Sequence, residues 1–399
     1  MKARSIFNLS TVCKSEVRVG YTALKYITAF ALLNFSVSNS FGQQKNFVLR
    51  TMDWAYKLVE GDSASPKKKY IFVIPILSYK PETRWQAGVN VSYFFKAGKK
   101  DSLTRLSAIR TNFTITQNKQ YTIRPFFDVF TNRNKYNFRG HYQFTDFIEY
   151  YWGIGNQTSE DSRELYSFQQ HRANIKALRL VSKGLYVGLQ FNIENTYNLG
   201  YSLNSAMKTS SVTGIAGYAE AGIGPAVSFD TRNHVFYPTK GHFIDVSAVF
   251  YQKNMGSNHN FSSLILDARK YIGLGGEQVV ALQAYGHFNQ GDVPYRMMGT
   301  IGNESYFRGY YFGRFRDIHA ATVQAEWRKP VWGPLSLVLF AGTGNVSAKI
   351  NGLTNRIKPM FGGGFRVKAI PREKVNVRLD YAWGEKEIRA FYITLNEAF

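Results

Sequence analysis

LYVGLQFNIEN, residues 185–195, sets Leu185, Val187, Leu189, Phe191 and Ile193 on one face and Gln190, Asn192 and Glu194 on the other. A period of two is that of a β-strand, whose successive side chains point to opposite faces. HFIDVSAVFY (242–251) repeats it, with Ile244, Val246, Ala248 and Phe250 against Asp245 and Ser247. LILDARKY (264–271) sets Leu264, Leu266 and Ala268 against Asp267 and Arg269, and VNVRLDYAW (375–383) sets Val375, Val377, Leu379 and Tyr381 against Asn376, Arg378 and Asp380. A soluble sandwich also alternates, with its apolar face inward. Here the polar face repeatedly carries charges of both signs, as the lining of an aqueous lumen would. An apolar exterior around a polar interior is the arrangement of a transmembrane β-barrel.

Extending this pattern outward predicts strands near 69–79, 85–97, 103–116, 120–131, 136–146, 164–180, 184–198, 213–230, 241–254, 260–273, 277–289, 318–330, 335–346, 357–369, 374–384 and 389–398. The fold class is therefore all-β: a transmembrane antiparallel barrel of about 16 strands. An even count leaves both termini in the periplasm. SKG, LGGE, WGP and IPREK are short, as periplasmic turns are; 147–163, 199–212 and 290–317 are long, as extracellular loops are.

Residues 1–42 read as a secretory signal peptide: five basic residues and one acid, a short apolar run YITAFALLNFSV, then SNSFG. Cleavage is expected near Gly42–Gln43. The run is too short for the roughly 20 residues of a membrane-spanning helix. Residues 43–68 are then a short periplasmic segment, and 69–399 the barrel. The only cysteine, Cys13, falls in the presequence, so the mature chain has no disulfide and no thiolate metal site. The net charge of +23 falls to +19 without the presequence. That basic balance, with no nucleic-acid motif and a secretory leader, excludes nucleic acid and leaves acidic lipid or glycan as surface partners.

The final stretch FYITLNEAF alternates Phe391, Ile393 and Leu395 against Tyr392, Thr394 and Asn396 and ends at Phe399. An aromatic end to an amphipathic strand is similar to the sorting signal that outer-membrane barrels show to their insertion machinery. One stretch does not alternate. GNESYFRGYYFGRFRD (302–317) is basic, aromatic and punctuated by glycine. Eleven predicted strands precede it and five follow.

That loop, with DTRNHVFYPTKGHF (230–243) and QAEWRKPVWGPLSLVLFAGTGNV (324–346), resembles in order and spacing the bacterial surface antigen superfamily of outer-membrane barrels, the BamA/TamA family. The resemblance covers most of 69–399. It implies sixteen strands and a sixth extracellular loop folded back into the lumen, with the loop motif at Arg308, Gly309 and Tyr310. It implies that Arg308 meets an acid on the twelfth strand, which matches Glu326, with Arg328 and Phe340 as lumen neighbours. A bidentate carboxylate is what a guanidinium inside a barrel needs. The family's usual second acid, on the thirteenth strand, is replaced by Gly342, so Arg308 relies on Glu326 or on another lumen acid such as Asp267 or Asp380. The resemblance also implies a weak seam between the first and last strands. Pro75, which cannot donate to a ladder, and Ile393 would lie there. Between Gln43 and Lys68 only 26 residues remain, too few for a periplasmic POTRA domain of roughly 50 or more.

HExxH, GxSxG and P-loop patterns are absent, and the seven histidines form no i,i+4 pair. The expectation is a non-enzyme with no cofactor and no metal. Its role is that of a barrel-only member that assists insertion or translocation of a protein or lipid client. Two other readings are a passive pore, whose Arg110, Arg124, Arg269, Arg328, Arg366 and Arg378 would favour anions, and a surface antigen built for its loops. The expected partners are outer-membrane lipid, the insertion machinery during biogenesis and a separate periplasmic protein, around a monomeric barrel.

Overall fold

The computed structural model describes residues 69–399 apart from 81–83, 98–103, 236, 371–374, 386–387 and 396. The expected signal peptide 1–42 and periplasmic segment 43–68 lie outside the described residues. Among the described residues eighteen strands form, and sixteen of them make one antiparallel sheet. In chain order these are β1 (Lys69–Lys80), β2 (Arg84–Phe95), β3 (Ser107–Thr116), β4 (Tyr121–Phe130), β5 (Tyr136–Tyr151), β6 (Glu164–Ser182), β7 (Leu185–Tyr201), β8 (Tyr218–Asp230), β9 (Gly241–Tyr251), β10 (Phe261–Gly275) and β11 (Gln278–Gly291). After a two-stranded insertion, β12 (Gly299–Ile301) with β13 (Phe315–Asp317), come β14 (His319–Trp332), β15 (Leu335–Ser347), β16 (Lys358–Ile370), β17 (Val375–Trp383) and β18 (Arg389–Leu395). Each of the sixteen pairs with its neighbours in sequence, and β11 pairs directly with β14.

The faces sort as the alternation requires. On β7, Ile193 is 59 % exposed while Glu194 is 4 % exposed, and Leu189 and Gln190 divide the same way. Exposed Ile, Leu, Val and Phe on successive strands form an outer band that lipid must cover, because that much contiguous apolar surface is not kept in water. No helix among the described residues is long and apolar enough to cross a membrane. The polar residues turn inward and bond across the interior: Arg139 of β5 and Lys176 of β6 both reach Asp245 of β9. The chain is an all-β antiparallel barrel with an apolar outside and a polar inside.

Differences from the sequence reading are local. β5 runs to Tyr151, five residues past the expected end, because Thr145 to Tyr151 keep their cross-strand partners on β6. β8 begins at Tyr218 instead of 213. β18 stops at Leu395, not 398, and the side chain of Phe399 is buried, 4 % exposed, away from the strand. The strand expected to run to 398 thus ends three residues earlier, and Phe399 lies beyond it. The hairpin β12–β13 inside the long loop carries no alternation long enough to read.

Candidate functional site

The loop between β11 and β14 is pinched at its base by β12–β13, where Gly299, Thr300 and Ile301 pair with Asp317, Arg316 and Phe315. Beyond that hairpin, Asn303 and Phe307 exchange backbone hydrogen bonds of 2.8 and 3.2 Å, closing a tight turn. The turn delivers Arg308, which is fully buried. Tyr306 stacks on Tyr285 of β11 at 4.1 Å between centroids, and Phe307 on Tyr310 at 5.1 Å. The aromatics fix the tip against the wall by area and by ring geometry.

Arg308 is held on four sides. One Nη donates to Asp380 of β17 at 2.7 Å; the other lies 2.8 Å from Glu326 of β14 and 3.2 Å from Gln324 Oε1. Its guanidinium carbon sits 3.4 Å from the centroid of Phe340 on β15, a cation–π contact. Gly309 adopts φ +93°, and a Cβ there would meet the Trp383 carbonyl carbon at 2.8 Å. Its N–H donates to Tyr392 Oη at 3.0 Å. Tyr310 Oη donates to the Pro359 carbonyl at 2.7 Å and accepts from the Glu385 N–H at 2.8 Å.

These contacts belong to a larger network. Glu326 also accepts from Arg328 Nε at 2.7 Å, and Asp380 from Arg366 Nη1 at 2.6 Å. Glu397 accepts from Arg366 Nε at 2.7 Å and from Asn376 at 2.8 Å, and Arg328 donates to the main-chain oxygen of Phe399 at 2.9 Å. Arg378 lies 3.7 Å from Asp380. Four guanidiniums thus share three side-chain carboxylates, all shielded from water, and Arg328 also holds the main-chain oxygen of Phe399. Charges so buried persist only when paired and hydrogen-bonded.

Of the residues singled out in the sequence, Arg308, Gly309, Tyr310, Glu326, Arg328, Phe340 and Asp380 come together. Asp267 does not touch Arg308: it holds Arg269 and accepts from Gln283 at 2.9 Å. It reaches the site only through Gln283 and Gln324, whose side chains bond at 2.6 Å. Gly342 faces Gln324 in register, and a Cβ at 342 would meet the Val323 carbonyl oxygen at 2.5 Å. Gln324 thus fills the space where a thirteenth-strand acid would stand. Sequence reasoning missed Gln324 and Glu397; Gln324 was signalled by its place two residues before Glu326 on the same face, whereas Glu397 had no such signal.

The sheet's end strands are β1 and β18. They approach each other, and no ladder joins them among the described residues. Pro75 lies in β1 opposite Val89, and Ile393 lies in β18 opposite Leu379 with its side chain facing outward. Phe399 packs with Tyr271, Val279 and Ala281 at the lumen end of β10 and β11.

A family model described as the Omp85 superfamily domain matches residues 69–399. The chain is similar to BamA from Haemophilus ducreyi, solved without POTRA domains 1–3, at 12 % identity and a TM-score of 0.52, over 82 % of this chain and 69 % of that one. It is similar to CdiB from Acinetobacter baumannii at 12 % identity and a TM-score of 0.51, over 82 % of this chain and 59 % of that one. The chain therefore spans less than two thirds of the CdiB chain, and both likenesses concern the fold. A search of curated proteins finds no significant match.

Proposed function

The chain belongs to the Omp85 superfamily, whose barrels lie in the bacterial outer membrane, and from that premise we propose that it assists insertion or translocation of a protein or lipid client there. The observation that carries this reading is the loop tip docked inside the barrel by Arg308. A loop anchored by buried ion pairs does not serve mainly as an exposed antigenic surface. It also occupies the interior that a passive pore would keep open.

In this reading Arg308, Glu326 and Asp380 hold the tip as an internal brace for β14 to β18. The seam between β1 and β18 is the place where the sheet parts most cheaply, since among the described residues no ladder has to break. Pro75 lacks a donor there and supports the same role. Client capture in the periplasm would fall to a separate protein, and the barrel itself would act as a monomer.

The test is replacement of Arg308 by Ala in cells that depend on this chain, with outer-membrane proteins and lipids quantified by mass spectrometry. The expected result is loss of particular proteins or lipids from the membrane while the variant barrel is still folded and present. An unchanged outer-membrane composition with a normally folded variant would sink the proposal.

A further inference from the structure

We propose that the lumen wall formed by β3 to β6 is a binding site for a phosphate group, gripped by Arg110 and Arg124. Arg110 of β3 faces Phe126 of β4 in register, and Arg124 lies two residues before Phe126 on the same side. Their guanidinium carbons sit 5.9 and 5.1 Å from the centroid of that one ring. His141 of β5 is the partner of Phe126 on its other side, with centroids 5.6 Å apart. Arg172 of β6 stands in register with Gln143, one inward position along from His141.

What distinguishes Arg110 and Arg124 is that no carboxylate pairs with them. Arg139, Arg172, Arg269 and Arg296 each hold a carboxylate. Among the described residues, Arg110 and Arg124 make no ion pair and no side-chain hydrogen bond. Arg124 Nε is sealed from water without a partner. A buried donor left in that state costs free energy unless a ligand satisfies it. The nearest acids act only through space. Asp128, which influences Arg110, accepts a hydrogen bond from Asn137 at 2.7 Å. Glu304, which influences Arg124, is an exposed residue of the loop tip.

The geometry selects the ligand class. A guanidinium presents a planar fork that matches a pair of oxygens on carboxylate or phosphate. A single carboxylate satisfies one fork. A phosphate has oxygens on several sides and can take Arg110 and Arg124 together. The group can come from a soluble phosphorylated compound or from a lipid headgroup. Glu304 would repel either one, so it limits occupancy. The site is independent of the translocation reading, because neither arginine belongs to the network of Arg308.

The experiment titrates the full folded chain in detergent with pyrophosphate, and separately with a short-chain phosphatidylglycerol below its micelle concentration, by calorimetry. Saturable binding of one probe is expected, at least tenfold weaker in the Arg110→Gln/Arg124→Gln double variant and tighter in Glu304→Gln. Binding of pyrophosphate identifies a soluble phosphate site; binding of the lipid alone identifies a headgroup site. The double variant gives up no ion pair and is expected to keep the wild-type shift between heated and unheated samples on electrophoresis. Glu304→Gln supplies the readout should the double variant not fold. No binding of either probe, equal binding by the double variant, or unchanged affinity in Glu304→Gln would overturn the proposal.

Discussion

At the residue scale, the charge balance around Arg308 predicts which substitution hurts most. Removing Arg308 leaves Glu326 with Arg328 and Asp380 with Arg366, so three guanidiniums face three carboxylates. Removing the charge of Asp380 leaves four guanidiniums on two carboxylates in the same dry space. Asp380→Asn should therefore destabilise the barrel by about 3–5 kcal/mol, the usual cost of stranding a buried charge, and Arg308→Ala by less. Urea unfolding in lipid vesicles measures both, and the reverse order would contradict the network as drawn. Asp380 shows where reading the sequence stops. Alternation put it inward, as it did Asp267, and the resemblance named neither. The choice between them depends on which wall the loop tip meets, and the strand period is silent on that. Gly342 shows the same limit: Gln324 of the adjacent strand lies in register with it, and the second carboxylate comes instead from Asp380 of β17.

At the scale of elements, most of the barrel was legible because strands with one face in lipid and one in water must alternate. The last strand was legible in kind but not in extent. Its alternation runs on toward Phe399, yet the ladder to β17 ends at Leu395. What turns the tail inward is chemistry from other strands: Arg366 and Arg328 take Glu397, and Arg328 takes the main-chain oxygen of Phe399. The tail position is thus tied to the same ion pairs that dock the loop. Neutralising Glu397 with Gln should free it. A cysteine at Ala398, buried in the folded barrel, would be protected from a soluble maleimide in the parent chain and labelled when Glu397→Gln is added. Equal protection in both backgrounds would mean that apolar packing on Tyr271, Val279 and Ala281 holds the tail without the ion pairs.

At the scale of the molecule, the decisive property is the inversion of inside and outside, and it makes neighbouring positions on one strand respond in opposite ways. Leu189 and Asn192 lie three residues apart on β7, one facing lipid and the other the interior. An arginine at 189 must bring its charge into hydrocarbon, which costs about 2–4 kcal/mol near the midplane. An arginine at 192 enters a polar interior that already holds Glu194 and Gln190, where carboxylate and amide can receive it. A soluble sandwich would give the opposite ranking, because its apolar face is the interior and its polar face is water. Unfolding of Leu189→Arg and Asn192→Arg in vesicles therefore tests the architecture directly. The barrel requires the first to be the more costly by at least about 1 kcal/mol, and a thinner bilayer should shrink that gap as position 189 moves closer to the headgroups. A gap that ignores bilayer thickness would mean that Leu189 does not face lipid.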